Sequence, residues 1–151
     1  MNRPTDLQAL HLGLALARSH ARQQQRLDEH LGMWHGIGQA DFLLLDALSR
    51  SPHGRLSTLA LARQLHCPPS ALVRQLLPLE KTGLLAREAG AVQLRAAGRQ
   101  LHAEASQTVG AVCGKAWNTL RLDGEAFDTL LSQLDAVAAA TGHATPEVHA
   151  R

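Results

Sequence analysis

Apolar positions along most of the chain recur every three or four residues. Leu7, Leu10, Leu14, Ala17 and Ala21 form one such stripe, and Thr5 or Asp6 can cap it. A first helix is predicted from about Thr5 to Leu31, broken by Gly32, Gly36 and Gly38. A second is predicted over Gln39 to Arg50, with Phe42, Leu45 and Leu48 as its stripe and Leu43 and Leu44 widening it. Ser51-Pro52-His53-Gly54 reads as a turn. Ser57 or Thr58 then caps a short third helix carrying Leu59, Leu61, Ala62 and Leu65. After a break at His66-Cys67-Pro68, a fourth helix is predicted from Pro69 to Thr82, with Leu72, Val73, Leu76, Leu77 and Leu79. Proline suits its first turn, where no N–H is needed. Pro78 is expected to bend or tighten the last turn, and Gly83 to end it.

The period then changes. Leu84 to Arg87 and Val92 to Arg95 flank Glu88-Ala89-Gly90-Ala91, which predicts a β-hairpin. A fifth helix follows from Ala96 to Leu120, with Leu101, Ala105, Val109, Val112, Ala116 and Leu120 on one stripe. A sixth starts at Asp123 or Gly124 and carries Phe127, Leu130, Leu131, Leu134 and Val137 to about Ala140. The remainder, 142–151, has no apolar period and is expected to be a mobile tail. Helix, short helix, turn, helix, hairpin is the order of a winged helix-turn-helix. The predicted fold is mainly α, with long terminal helices and a short two-stranded wing. Its segments are an N-terminal helix (1–38), the winged helix-turn-helix (39–100) and the C-terminal helices (101–141).

Composition agrees. Leu and Ala supply 28 and 25 of the 151 residues, Val and Ile together only 7, and Tyr is absent. Strands favour β-branched and aromatic residues, so a sandwich or large sheet is excluded. A hydrophobic fraction of 45% argues against wholesale disorder. The longest apolar runs are four or five residues, so no membrane partner is expected, and a cytoplasmic location is. Cys67 and Cys113 lack metal or redox spacing, and nine histidines include no His-x-x-x-His pair. No nucleotide-binding or hydrolase motif is present, so no catalytic residue, cofactor or metal is expected.

Charge sharpens this. The formal net charge is only +2. Residues 55–99, however, hold seven basic and two acidic side chains, a net of +5, while the rest of the chain carries −3. A basic middle between acidic flanks points to a segment that meets a polyanion.

Three runs now become informative: Leu59-Ala60-Leu61-Ala62-Arg63-Gln64-Leu65, Pro69-Ser70-Ala71-Leu72-Val73-Arg74, and Leu79-Glu80-Lys81-Thr82-Gly83-Leu84-Leu85-Ala86-Arg87. Together they resemble the core of MarR-type bacterial transcriptional regulators. The Leu-Glu-x-x-Gly-Leu-x-x-Arg segment is the most specific part, and Leu94-Arg95-Ala96-Ala97-Gly98 resembles the family's Leu-Thr-x-x-Gly. The resemblance covers about residues 39–100. It implies a homodimer built from the first, fifth and sixth helices, bound to a palindromic double-stranded operator. It also implies a repressor released by a small, often aromatic, acid.

The candidate DNA contacts follow from the helix-turn-helix. Its second helix enters the major groove with its N-terminal residues toward the bases. Arg74 can bind guanine or phosphate there, Gln75 can read adenine if it faces outward, and Ser70 lies beside them. Ser57 and Thr58 can offer hydroxyl and N–H groups to a phosphate. Arg55, Arg63, Lys81, Arg87 and Arg95 are further candidates for phosphate. For the effector, His11, Arg18 and Arg22 lie near one face of the first helix at i, i+7 and i+11. With Trp34 and Trp117 as walls, such a cluster suits a small carboxylate or phenolate. The resemblance implies a pocket between the first, second and fifth helices.

One departure stands out. The family's wing usually carries an Asp-x-Arg turn that reaches the minor groove. Here six residues, Glu88 to Gln93, separate Arg87 from Leu94, and the tip offers Ala and Gly. Either Arg87 and Arg95 contact phosphates instead, or DNA affinity is reduced, or DNA binding is lost. The last option leaves a winged-helix module for ligand sensing or protein interaction.

Overall fold

The computed structural model describes residues 3–141. Its elements are α1 (Asp6–His35), α2 (Gln39–Arg50), a 3₁₀ turn (Pro52–Gly54), β1 (Arg55–Ser57), α3 (Thr58–Gln64), α4 (Pro69–Lys81), β2 (Leu85–Glu88), β3 (Ala91–Leu94), α5 (Ala96–Trp117), a second 3₁₀ turn (Asn118–Leu120) and α6 (Gly124–Thr141). The tail expected from residue 142 lies outside the described residues. The chain divides into two compact units, before and after the Cys113–Gly114 bond.

This is the mainly α winged helix-turn-helix expected, with two corrections. The sheet has three strands rather than two, in the antiparallel order β1-β3-β2. Leu56 of β1 pairs with Val92 of β3. Three residues with one apolar side chain carry too little pattern to announce a strand, because the pairing partner lies far along the chain. The second correction is that α1 passes through Gly32 and ends at Gly36. Gly36 adopts φ 67 and donates its N–H to Gly32 O at 3.2 Å. A helical glycine costs only about 1 kcal/mol. Buried Leu27 and Leu31 anchor the turns before it, and the His35 ring meets Thr108 Oγ1 at 2.8 Å beyond it. At the other end Thr5 and Gln8 form a reciprocal capping box.

The core of the first unit is almost wholly leucine. Leu44, Leu45 and Leu48 of α2, Leu61 of α3, Leu72, Leu76 and Leu79 of α4, Leu85 of β2, and Val92 and Leu94 of β3 are its centre. Phe42 is the buried aromatic. The His102 ring of α5 stacks on it at 5.4 Å and meets Asp46 Oδ1 at 3.0 Å, and Arg50 also pairs with Asp46. This fastens α5 to α2. Gly98 brings α5 against the hairpin: a Cβ there would overlap the Leu84 carbonyl oxygen and lie 2.7 Å from Leu94 Cδ1.

By contrast, every residue of α1 from Asp6 to Arg22 is exposed, Leu7, Leu10 and Leu14 included. In the second unit, Trp117 and Phe127 meet edge to face at 6.2 Å, while Leu131 and Val137 of α6 are exposed.

Candidate nucleic-acid interface

α4 begins at Pro69, and its amphipathic spacing decides what it shows to solvent. Leu72, Leu76 and Leu79 are buried, which turns Ser70, Val73, Arg74, Leu77 and Lys81 outward. These lie at i, i+3, i+4, i+7 and i+11, a single helical face. Val73 and Leu77, expected among the apolar stripe, are 38% and 41% exposed instead. The helix runs through Pro78 to Lys81, and Thr82 N–H closes it by donating to Pro78 O.

Exposed cations lie on this helix and on the elements that precede it in the chain. Arg55 is on β1, Arg63 on α3, and Arg74 and Lys81 on α4. None of the four is held by an ion pair among the described residues. Arg95 is exposed between β3 and α5, and its N–H donates to Leu84 O at 3.0 Å.

Other candidates are engaged inside the fold. Gln75 is half-buried and turned toward α2, where its Nε2 donates to Asp41 Oδ1 at 3.3 Å. The adenine contact considered for it required an outward side chain. Ser57 Oγ caps α3 by accepting from Ala60 N–H at 3.1 Å. Thr58 donates both its N–H and its hydroxyl to Gly90 O, at 2.9 and 3.0 Å. Those bonds tie the wing turn to the start of α3.

Arg87 is bound most firmly. Its Nε and Nη2 both reach Glu80 Oε2 at 2.8 Å, and its N–H donates to Glu80 Oε1 at 3.2 Å. The Arg87 guanidinium holds the Glu80 carboxyl below its ordinary value of 4.5. These two are the Glu and Arg of the Leu-Glu-x-x-Gly-Leu-x-x-Arg segment. Gly83, at φ 76, reverses the chain between them and brings them together. Opposite charges flanking a glycine turn were the available sign of this pair. The wing tip itself is a two-residue turn, Ala89 at φ 48 and Gly90 at φ 75, the type I′ pattern that suits a tight hairpin.

His11, Arg18 and Arg22 are exposed on α1, and Trp34 is 70% exposed on its last turn. Trp117 belongs to the second unit, against Phe127. Within the first unit Cys113 is packed near α1, with Gln23 Nε2 3.2 Å from its Sγ. Burial pushes this thiol up, and the Gln23 hydrogen bond offsets part of that. Asp41, Asp46 and His102 were not singled out by sequence reasoning, and Glu80 entered it only as part of the Leu-Glu-x-x-Gly-Leu-x-x-Arg segment, with no partner assigned.

No family model and no curated protein matches the sequence. Solved structures do. The MarR family protein Rv2887 of Mycobacterium tuberculosis is 30% identical, over 84% of this chain and 93% of that one, with a TM-score of 0.63. The chain belongs to the MarR family. The structure of Rv2887 in complex with DNA matches at 29% identity, over 88% of this chain and 98% of that one, with a TM-score of 0.69. Sco3205 of Streptomyces coelicolor, a MarR family regulator also solved with DNA, matches at 22% identity and a TM-score of 0.76, over 93% and 91% of the two chains. At that identity the likeness speaks for the fold.

Proposed function

We propose that this MarR family protein is a homodimeric, DNA-binding transcriptional repressor of the cytoplasm that recognises a palindromic operator. The observation that carries this reading is the outward face of α4. It presents Ser70, Arg74 and Lys81 at helical spacing, and Arg55 of β1 and Arg63 of α3 are exposed with no ion pair among the described residues. A helix-turn-helix carries such a face into the major groove. Membership of a family in which Rv2887 and Sco3205 were solved with DNA supports it. The exposed leucines of α1 and the exposed Leu131 and Val137 of α6 support self-association, since apolar surface of this extent calls for a cover. No helix of the described residues is long and apolar enough to cross a membrane. The role is a binding one and requires no catalytic residue.

The reading includes an effector, a small aromatic acid whose carboxylate pairs with Arg18, with His11 and Arg22 on the same face of α1. Trp34 lies about 24 Å further along the unbroken α1 helix, too far to share so small a ligand with Arg18, and Trp117 belongs to the second unit. Arg18→Ala then leaves operator binding intact and makes it insensitive to the acid; unchanged sensitivity sinks the assignment.

A second reading has its own observation. Arg87 is committed to Glu80 and the wing tip is Ala-Gly, which fits a ligand-sensing or interaction module with weak DNA binding. Titration of the protein's own upstream DNA, followed by fluorescence anisotropy, separates the two. Saturable binding that weakens with salt supports the repressor, and binding no tighter than to random duplex supports the module.

A further inference from the structure

The fold withdraws several polar groups from any DNA it meets. Gln75 is spent on Asp41, Arg87 on Glu80, and Thr58 on the Gly90 carbonyl. The wing tip adds no donor side chain, since Ala89 and Gly90 have none to offer. α4 exposes Pro69, Ser70, Ala71, Val73 and Arg74 in its first two turns; of these Ser70, Val73 and Arg74 share one face with Leu77 a turn later, while Ala71 lies off that face. Val73 therefore stands between a hydroxyl and a guanidinium on the exposed side, with Leu77 four residues on. Valine at an exposed helical position is a poor helix former, and its stiff χ1 holds two methyl groups in one place. In the major groove the apolar feature on a base edge is the thymine 5-methyl group.

We propose that Val73 is a base-reading residue, one that recognises a thymine methyl group in each operator half-site, with Leu77 extending the same apolar strip. This deepens the repressor reading and rests on α4 entering the major groove. Sequence preference then comes from two kinds of contact per protomer. Arg74 supplies the hydrogen-bonded one, and Val73 supplies an apolar one that discriminates thymine from cytosine and from uracil. Burial of one methyl group corresponds to about a fourfold change in binding constant.

The test begins by selecting tight duplexes for the full-length protein from a random pool. Each thymine of the selected site is then replaced in turn by uracil, which removes the methyl group and keeps every hydrogen-bonding group. Binding is measured for the wild type, Val73→Ala and Val73→Ser, with circular dichroism confirming that each variant is folded. The proposal expects one symmetric thymine per half-site at which uracil weakens wild-type binding about fourfold. Both variants lose that sensitivity while still binding the duplex. If the selected duplexes bind but no thymine-to-uracil change is cancelled by the Val73 substitutions, this inference is overturned and the repressor reading survives. If no duplex is selected above random sequence, both are overturned.

Discussion

Two backbone positions show how single residues shape the wing and its base. Ala89 takes the first place of a type I′ turn at φ 48, a conformation that asparagine and glycine adopt far more readily than alanine. Ala89→Asn is expected to raise unfolding stability by about 0.5–1 kcal/mol in a urea titration. At Gly98 the opposite holds. A methyl group there meets the Leu84 carbonyl, so Gly98→Ala must push α5 off the hairpin and is expected to cost about 1–3 kcal/mol. The Glu80–Arg87 pair has a pH signature. The folded carboxyl titrates below 4.5 and the unfolded one near it, so the unfolded chain takes up the proton first as pH falls. The stabilisation is present above that pH and lost below it. Compared with Glu80→Gln, the wild type should lose melting temperature more steeply on going below pH 4.5. Parallel profiles would contradict the pairing.

At the scale of elements, what could be read in advance depended on how local its cause was. Helices α2, α4 and α5 announce themselves because their apolar repeats extend over three or more turns. The Thr5 cap and the Ala-Gly turn are legible for the same reason. Strand β1 was not legible, because Arg55-Leu56-Ser57 becomes a strand only through β3, more than thirty residues away. The end of α1 was misplaced because Gly32 is tolerated when Leu27, Leu31 and His35 hold the turns around it. On α4, five apolar residues suggested a broad buried stripe, yet helical geometry can bury one side only. Val73 and Leu77 fell on the other, which no reading of hydrophobicity alone separates. The internal commitments of Gln75, Thr58 and Arg87 depend on tertiary neighbours, so residue type marked them as candidates but not their availability. The α5–α2 clasp can be checked directly: His102→Ala removes the Asp46 contact and the Phe42 stack. A loss of about 1–2 kcal/mol in unfolding stability is expected.

For the whole molecule, the segregation of +5 between residues 55 and 99 acquires a physical location. Most of that charge is on exposed side chains of β1, α3 and α4, within the leucine-cored first unit. Exposed apolar residues are most numerous elsewhere, on α1 and α6, although Leu59 of α3 and Val73 and Leu77 of α4 are exposed as well. The proposed division of labour is that one set meets DNA and the other a second copy. Leu10→Glu combined with Leu14→Glu is then expected to shift the protein to a monomer in light scattering and to weaken operator binding by at least tenfold. The central claim is that the α4 face binds DNA as a polyanion reader, and the salt dependence of binding tests it most directly. Four cations of β1, α3 and α4, Arg55, Arg63, Arg74 and Lys81, form no ion pair among the described residues and make eight in a dimer. Each phosphate contact contributes about 0.9 to the slope of log K against log salt, which predicts a slope near −7 for the wild type. Arg74→Ala should reduce its magnitude by about two, or cut affinity for the selected site alone if Arg74 reads a base. A slope near zero, or an Arg74→Ala protein that binds the selected duplex as tightly and with the same slope as the wild type, would contradict the account.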